Sequence, residues 1–228
     1  MKKKTQRIWQ LLSLEFIIIA GVFLLALFSF SLIIHEALYD REDVFDNNVI
    51  HFFAIHSSPA LIAAMKKITF FGSTTFLFPA YIVLIGWYLI KKKFNYAIDI
   101  AIIGISSTAM MFALKQFFHR HRPQLPIIKG ISGYSFPSGH SLSSFVFCTI
   151  LIYLVWKGMM QQGYKYVLTV LLLLCPLAIG LSRVILNVHY ATDVIGGFCL
   201  AIVWVILSFI ILQKIRKRTL SAANEAGS

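Results

Sequence analysis

Acidic residues are scarce in this sequence. Nine Asp and Glu stand against 21 Lys and Arg, for a formal net charge of +12. Charge of either sign is thin, at 13% of 228 residues, while 58% are apolar. Polar stretches that would cover a soluble core are missing, and the apolar residues come in long runs rather than in alternation. Together these exclude an ordinary soluble domain and leave an integral membrane protein. Cysteine is nearly absent. Cys148, Cys175 and Cys199 each lie inside an apolar run with no CxxC pair, so neither a disulfide nor a cysteine metal site is expected. The basic excess does not point to nucleic acid, because the cations sit in short clusters between apolar runs instead of along one face. No internal repeat of about 20–50 residues is visible. That absence argues against a transporter, whose substrate site usually lies at mid-membrane between repeated halves.

What is present is a series of apolar runs long enough to cross a bilayer as helices. The sequence predicts an all-α fold, a single membrane domain over 1–228 with six spans at about 9–34, 69–90, 95–118, 138–156, 166–186 and 193–212. The first run resembles a secretory signal but is too long for one, so it is read as a retained span. Basic residues set the orientation. Lys2, Lys3, Lys4 and Arg7 precede span one, Lys91, Lys92 and Lys93 follow span two, Lys157 and Lys165 lie between spans four and five, and Lys214, Arg216, Lys217 and Arg218 follow span six. Both termini are then cytoplasmic, and 13 of the 21 Lys and Arg fall on that side. The polar tail after Arg218 is expected to lack regular structure. Residues 35–68 open with Glu36, Asp40, Glu42, Asp43 and Asp46 and continue with Phe52, Phe53, Ile55, Leu61, Ile62 and Met65 among polar residues. They read as an interfacial amphipathic helical pair that covers the surface or shapes a lipid entrance.

Three polar clusters fall at the outer ends of these spans, where a chain that only crossed the membrane would not need them. Lys115 and Arg122 lie around the end of span three, Ser138, Gly139 and His140 open span four after Pro137, and Ser182, Arg183, His189 and Asp193 join spans five and six. Lys115, Arg122 and Arg183 supply three cations, partly offset by Asp193, which suits a doubly charged anion. An arginine fork matches phosphoryl oxygens in two-point contact. Ser138 and Gly139 start a helix whose free amides and positive dipole end form an anion cradle. His189 and Asp193 are four apart and, if that stretch is helical, share a face. The carboxylate would then fix one imidazole nitrogen and leave the other free to attack, with His140 donating a proton to the leaving oxygen.

The pattern Lys115-x6-Arg122-Pro123, then Pro137-Ser138-Gly139-His140, then Ser182-Arg183-x5-His189-x3-Asp193 resembles the three-part signature of the PAP2 superfamily (type 2 phosphatidic acid phosphatases). Size and span plan resemble its bacterial membrane lipid phosphatases of the phosphatidylglycerophosphatase B and undecaprenyl-pyrophosphatase type. The resemblance implies His189 as the phosphohistidine nucleophile, Asp193 polarising it, and His140 as acid and later base. It implies Lys115, Arg122, Ser138, Gly139 and Arg183 as phosphate ligands, Ser182 in support, and no metal or other cofactor. The expected partners are a lipid phosphate and the membrane, with the site on the extracytoplasmic side of the cell membrane. Undecaprenyl pyrophosphate, phosphatidylglycerophosphate and phosphatidic acid are the candidate substrates, and lipid phosphotransfer on the same scaffold is the alternative reaction.

Other polar residues have plainer readings. His35, His51 and His56 are read as structural, Lys66 and Lys67 as surface charges near lipid phosphates, and Glu15 and Asp99 as having no part in the function. His119 and His121 flank Arg120 as possible headgroup contacts. A divalent ion beside three cations and one carboxylate is not expected.

Overall fold

The computed structural model describes residues 14–36 and 44–226. Lys2, Lys3, Lys4, Arg7, Asp40, Glu42, Asp43 and the side chain of Glu15, all named above, lie outside what it describes. Among the described residues the chain is helical, with no strand: α1 (Leu14–Ile34), α2 (Val44–His56), α3 (Pro59–Phe70), α4 (Thr74–Ile90), α5 (Phe94–Phe118), α6 (Gly139–Lys157), α7 (Gln162–Ile185) and α8 (Ala191–Ala226). Among the described residues six stretches are long and apolar enough to span a bilayer, one in each of α1, α5, α6, α7 and α8 and one over Pro59–Ile90. In hydrocarbon every backbone polar group must be satisfied within its own segment, which selects helices for such runs.

The packing is inside-out relative to a soluble bundle. Large apolar side chains such as Leu25, Val83, Ile105 and Phe117 point outward, and the interior collects the polar residues as well as the core. α6 is the hub, packed against α5, α7 and α8, while α1 lies along α8. Its inner face repeats every fourth residue as Leu142, Val146, Ile150 and Leu154, one helical stripe, and these meet Ile100 and Ile103 of α5 and Leu200, Ala201 and Val205 of α8. Gly180 brings α7 close to α8, where an added Cβ would lie 2.7 Å from Phe198 and 2.8 Å from Val194, since packing rather than hydrophobic burial holds helices together in lipid.

Two boundaries differ from the sequence reading, and the first matters for the site. The second span, expected as one helix from about 69, is broken at residues 71–73 and resumes at Thr74, where Ser73 caps α4 by accepting from Phe76 N at 3.3 Å. The preceding α3 starts at its own cap, Ser58, with Pro59 following. α3 packs on α7 and carries Thr69, read above as the start of the second span, into the interior, so the end of α3 supplies a site-facing side chain. At the other end the last helix runs on to Ala226, past the point where the polar tail was expected to lose structure.

Candidate active site

Ends of α3, α5, α6, α7 and α8 converge on one polar cluster. α6 opens it. Ser138, fully buried, caps the helix by accepting from Ser141 N at 3.4 Å, and its own amide donates to Asp193 O at 3.0 Å, which ties α6 to α8. The amides of Gly139 and His140 then begin the helix with no acceptor inside it. A Cβ on Gly139 would lie 2.7 Å from Met111 Sδ and 3.9 Å from Lys115 Cε, so the glycine brings the bare backbone against the α5 lysine. A Cβ on Gly197 would lie 2.9 Å from Ser138 O, so α8 closes onto the cap only because that residue has no side chain.

The cations are held by the backbone around them. Lys115 Nζ donates to Tyr134 O at 2.6 Å and Ser135 O at 3.2 Å. Arg122 donates through Nε to Gly133 O at 3.0 Å and through Nη1 to Val188 O at 2.8 Å. Arg183 is buried, and its Nη1 donates to Thr69 Oγ1 at 2.6 Å, while its Nε finds no hydrogen-bond partner. A buried guanidinium with an unspent donor in this cluster is what an anionic oxygen would satisfy.

His189 and Asp193 meet, but by another route than a shared helical face. His189 lies in the link before α8, and Asp193 sits in the first turn of α8. The Asp193 carboxylate turns back to accept from Tyr190 N at 2.9 Å, a capping contact that brings Oδ2 within 3.4 Å of His189 Nδ1. The link itself is fixed by Asn187, whose φ of +52° reverses the chain after α7. Asn187 Nδ2 also donates to Gln124 O at 2.7 Å, pinning the loop that carries Arg122.

Arg122 sets the tautomer. Its Nη1 lies 3.1 Å from His189 Nε2, and a guanidinium can only donate, so Nε2 must be the unprotonated, lone-pair nitrogen. The proton then resides on Nδ1, facing Asp193. Burial holds the imidazole pKa down to about 4 against the pull of Asp193, and Arg122 and Lys115 lower it further. His189 is therefore neutral at pH 7, with a lone pair on Nε2. His140 stands second in α6, next to Gly72, where a Cβ would come within 3.1 Å of its ring. Arg183, His189, Arg122 and Lys115 are the ionisable groups that act on it through space. The cluster thus gathers Lys115, Arg122, Ser138, Gly139, His140, Arg183, His189 and Asp193. Ser182 is buried on α7 and donates to Ile179 O at 2.5 Å, a helix-internal contact.

His119 and His121 are not in this cluster. His119 ends α5 in a left-handed turn (φ +51°), and the alternation that follows sends His119 and His121 outward and Arg120 inward. Arg120 was read only as the residue between two histidines. It is buried, stacked 4.2 Å from the Tyr190 ring centroid, and donates to Asp193 Oδ1 through Nη1 and to Asp46 Oδ2 through Nη2, each at 2.8 Å. Asp46, read as part of an acidic surface stretch, is buried instead. Burial works against the Arg120 charge, but Asp193 and Asp46 hold its pKa above the ordinary arginine value. Ser135 was also missed; its hydroxyl donates to Asp193 Oδ2. Among these side chains Lys115, Arg120, Arg122 and Arg183 face Asp46 and Asp193, which leaves two net positive charges around a neutral His189, the complement of a phosphate dianion.

Comparison with known proteins places the chain in a family. The chain is 27% identical over 180 residues to phosphatidylglycerophosphatase B of Bacillus subtilis (strain 168), covering 78% of this chain and 88% of that protein. Its fold matches the crystal structure of the transmembrane PAP2-type phosphatidylglycerolphosphate phosphatase from Bacillus subtilis with a TM-score of 0.74 and 25% identity, over 86% of this chain and 96% of the other. It also matches the fold of Aquifex aeolicus LpxE, with a TM-score of 0.55 and 23% identity over 71% and 93% of the two chains. Residues 96–217, more than half of the chain and containing all three polar clusters, match the PAP2 superfamily. The chain belongs to the PAP2 superfamily and is a multi-pass membrane phosphatase of that family.

Proposed function

We propose that the chain hydrolyses the phosphate monoester or pyrophosphate of a membrane lipid through a phosphohistidine on His189. The observation that carries this reading is the pairing of His189, with Nδ1 toward Asp193 and Nε2 accepting from Arg122. An incoming phosphoryl group would take over the Arg122 donor with its oxygens and expose the Nε2 lone pair to phosphorus. Lys115, Arg183 and the first amides of α6 would hold the remaining oxygens, so that charge built up in transfer meets fixed donors. Nε2 forms the new bond to phosphorus as the bond to the leaving oxygen breaks, and His140 gives that oxygen its proton. Water then attacks the phosphohistidine, His140 takes its proton, and inorganic phosphate leaves with Nε2 restored. No metal is required in either step.

The basic clusters support an extracytoplasmic site. Lys91, Lys92 and Lys93 follow α4, Lys157 and Lys165 flank the α6–α7 link, and Lys214, Arg216, Lys217 and Arg218 lie far along α8, all at helix ends opposite to those that form the site. The name of the Bacillus subtilis relative supports phosphatidylglycerophosphate as substrate, and an outward-facing site also suits undecaprenyl pyrophosphate and phosphatidic acid. The test is a panel of these three lipids with detergent-purified protein, measuring free phosphate and phosphate on an acceptor lipid separately. Free phosphate released in EDTA, and lost in His189→Ala, is expected. Release that needs a divalent ion or survives the substitution would refute the mechanism, and transfer without hydrolysis would make the chain a phosphotransferase.

A further inference from the structure

The mechanism above leaves a second buried charge network without a role. Asp46 lies on α2, Arg120 just beyond α5, and Thr192 and Asp193 in the first turn of α8. All four are buried, with Asp46 only 2% exposed and Asp193 fully buried. Arg120 bridges the two carboxylates, its Nη1 also donating to Thr192 Oγ1 at 2.7 Å. The Thr192 hydroxyl in turn donates to Asp46 Oδ2, and Thr192 N donates to Asp46 Oδ1 at 3.0 Å. Asp46 therefore serves an open amide of α8 from 146 residues away, and both of its oxygens are engaged.

Charge explains why two carboxylates share one guanidinium. Asp193 has to polarise Nδ1 of His189, which requires that its negative charge be available. A buried arginine paired with Asp193 alone would neutralise it. With Asp46 on the other arm of the fork, Arg120 is already compensated, and it orients Asp193 without cancelling it. Desolvated ions are costly unless paired and hydrogen-bonded, so such a network is kept where its arrangement is needed.

We propose that Asp46 and Arg120 are positioning residues for phosphoryl transfer, acting through Asp193 on His189 while leaving phosphate binding to other groups. The inference rests on His189 being the nucleophile. It also gives α2 a function: its docking places Asp46 and so completes the orientation of Asp193.

The test uses the full-length protein in detergent with steady-state kinetics, the inhibition constant of inorganic phosphate, and thermal melting. Asp46→Asn is expected to lower kcat about 10- to 100-fold, the range for partners that orient a liganding or reacting group, with KM and phosphate inhibition within about threefold. Arg120→Lys keeps the charge but not the fork, so it is expected to lose kcat in the same way. The double variant Asp46→Asn with Arg120→Gln restores charge balance and retains a donor to Asp193. It is expected to be more active than Asp46→Asn alone, a recovery in kcat of the folded protein, whereas a purely structural pair would couple in melting temperature and leave kcat unmoved. Unchanged kcat in the single variants, additive losses in the double, or loss of the fold in all of them would overturn the proposal. Activity persisting in His189→Ala would instead overturn the reading beneath it.

Discussion

Asp193→Asn is the substitution with the most specific expected result. The swap is isosteric, so no cavity forms and no helix must move. Oδ1 accepts from Arg120, and Oδ2 accepts from Tyr190 N, Ser135 and His189. An amide NH2 on either side therefore meets a group that can only donate, Arg120 on one and Tyr190 N–H on the other. One buried donor is left without an acceptor, at a cost of roughly 1–3 kcal/mol. Removing one member of a buried ion pair costs about 3–5 kcal/mol, but Arg120 keeps Asp46, so the total is expected below that range, at about 2–3 kcal/mol. The effect on rate is separate. In a serine-protease triad the same change costs about 10,000-fold because the imidazole adopts the wrong tautomer. Here Arg122 still forces Nε2 to accept. The loss in kcat is therefore expected at about 100- to 1,000-fold, the electrostatic part alone. Phosphate release under saturating substrate measures the rate, and thermal melting in detergent measures the stability. Wild-type kcat with the stability loss intact would show that Asp193 is only a cap for α8 and would refute the reasoning.

Three further changes test other parts of the site. Thr69→Val removes the acceptor of Arg183 Nη1; a hydrogen bond to a charged group is worth about 1.5–3 kcal/mol, so KM is expected to rise roughly tenfold or more with the fold retained. Gly197→Ala drives a Cβ against the Ser138 carbonyl, a backbone atom that cannot swing away; melting should show a loss of about 1–3 kcal/mol, with activity falling as the cradle shifts. The pH dependence follows from His189, whose folded pKa of about 4 lies below the ordinary imidazole value. Between about pH 4 and 6.5 the unfolded chain binds more protons, so stability is full above 6.5 and is lost as pH falls through that window, by up to about 3 kcal/mol from this group. Melting curves of wild type and His189→Gln across that range measure the difference, and parallel curves would contradict the depressed pKa.

The sequence carried the ends of the helices better than their faces. Lys115, Arg122, His140, Arg183 and His189 stand out because charged residues at the rim of apolar runs are expensive and therefore visible. Helical periodicity said little about packing, since a helix such as α1 is apolar all round and faces lipid with most of its surface. Asp46 and Arg120 show the limit most clearly. They are 74 residues apart, and each has a plain local reading, an acid in an acidic stretch and a base between two histidines. Only the docking of α2 beside the start of α8 makes them one network. The His189–Asp193 pair was found for a reason that needs amending: spacing of four suggested a helical face, while capping of Tyr190 N by Asp193 is what brings them together. Thr69 and Asn187 left no signal, because a threonine at a helix end and an asparagine in a turn are common for reasons of local structure alone.

The most direct measurement is rapid acid-free quenching of the purified protein with lipid labelled on its terminal phosphate, followed by mapping of the labelled residue. Label on His189, stable in base and labile in acid, formed at a rate no slower than phosphate release, is the expected result. Label on another residue, or phosphate released at full rate with none ever attached to the protein, would contradict it.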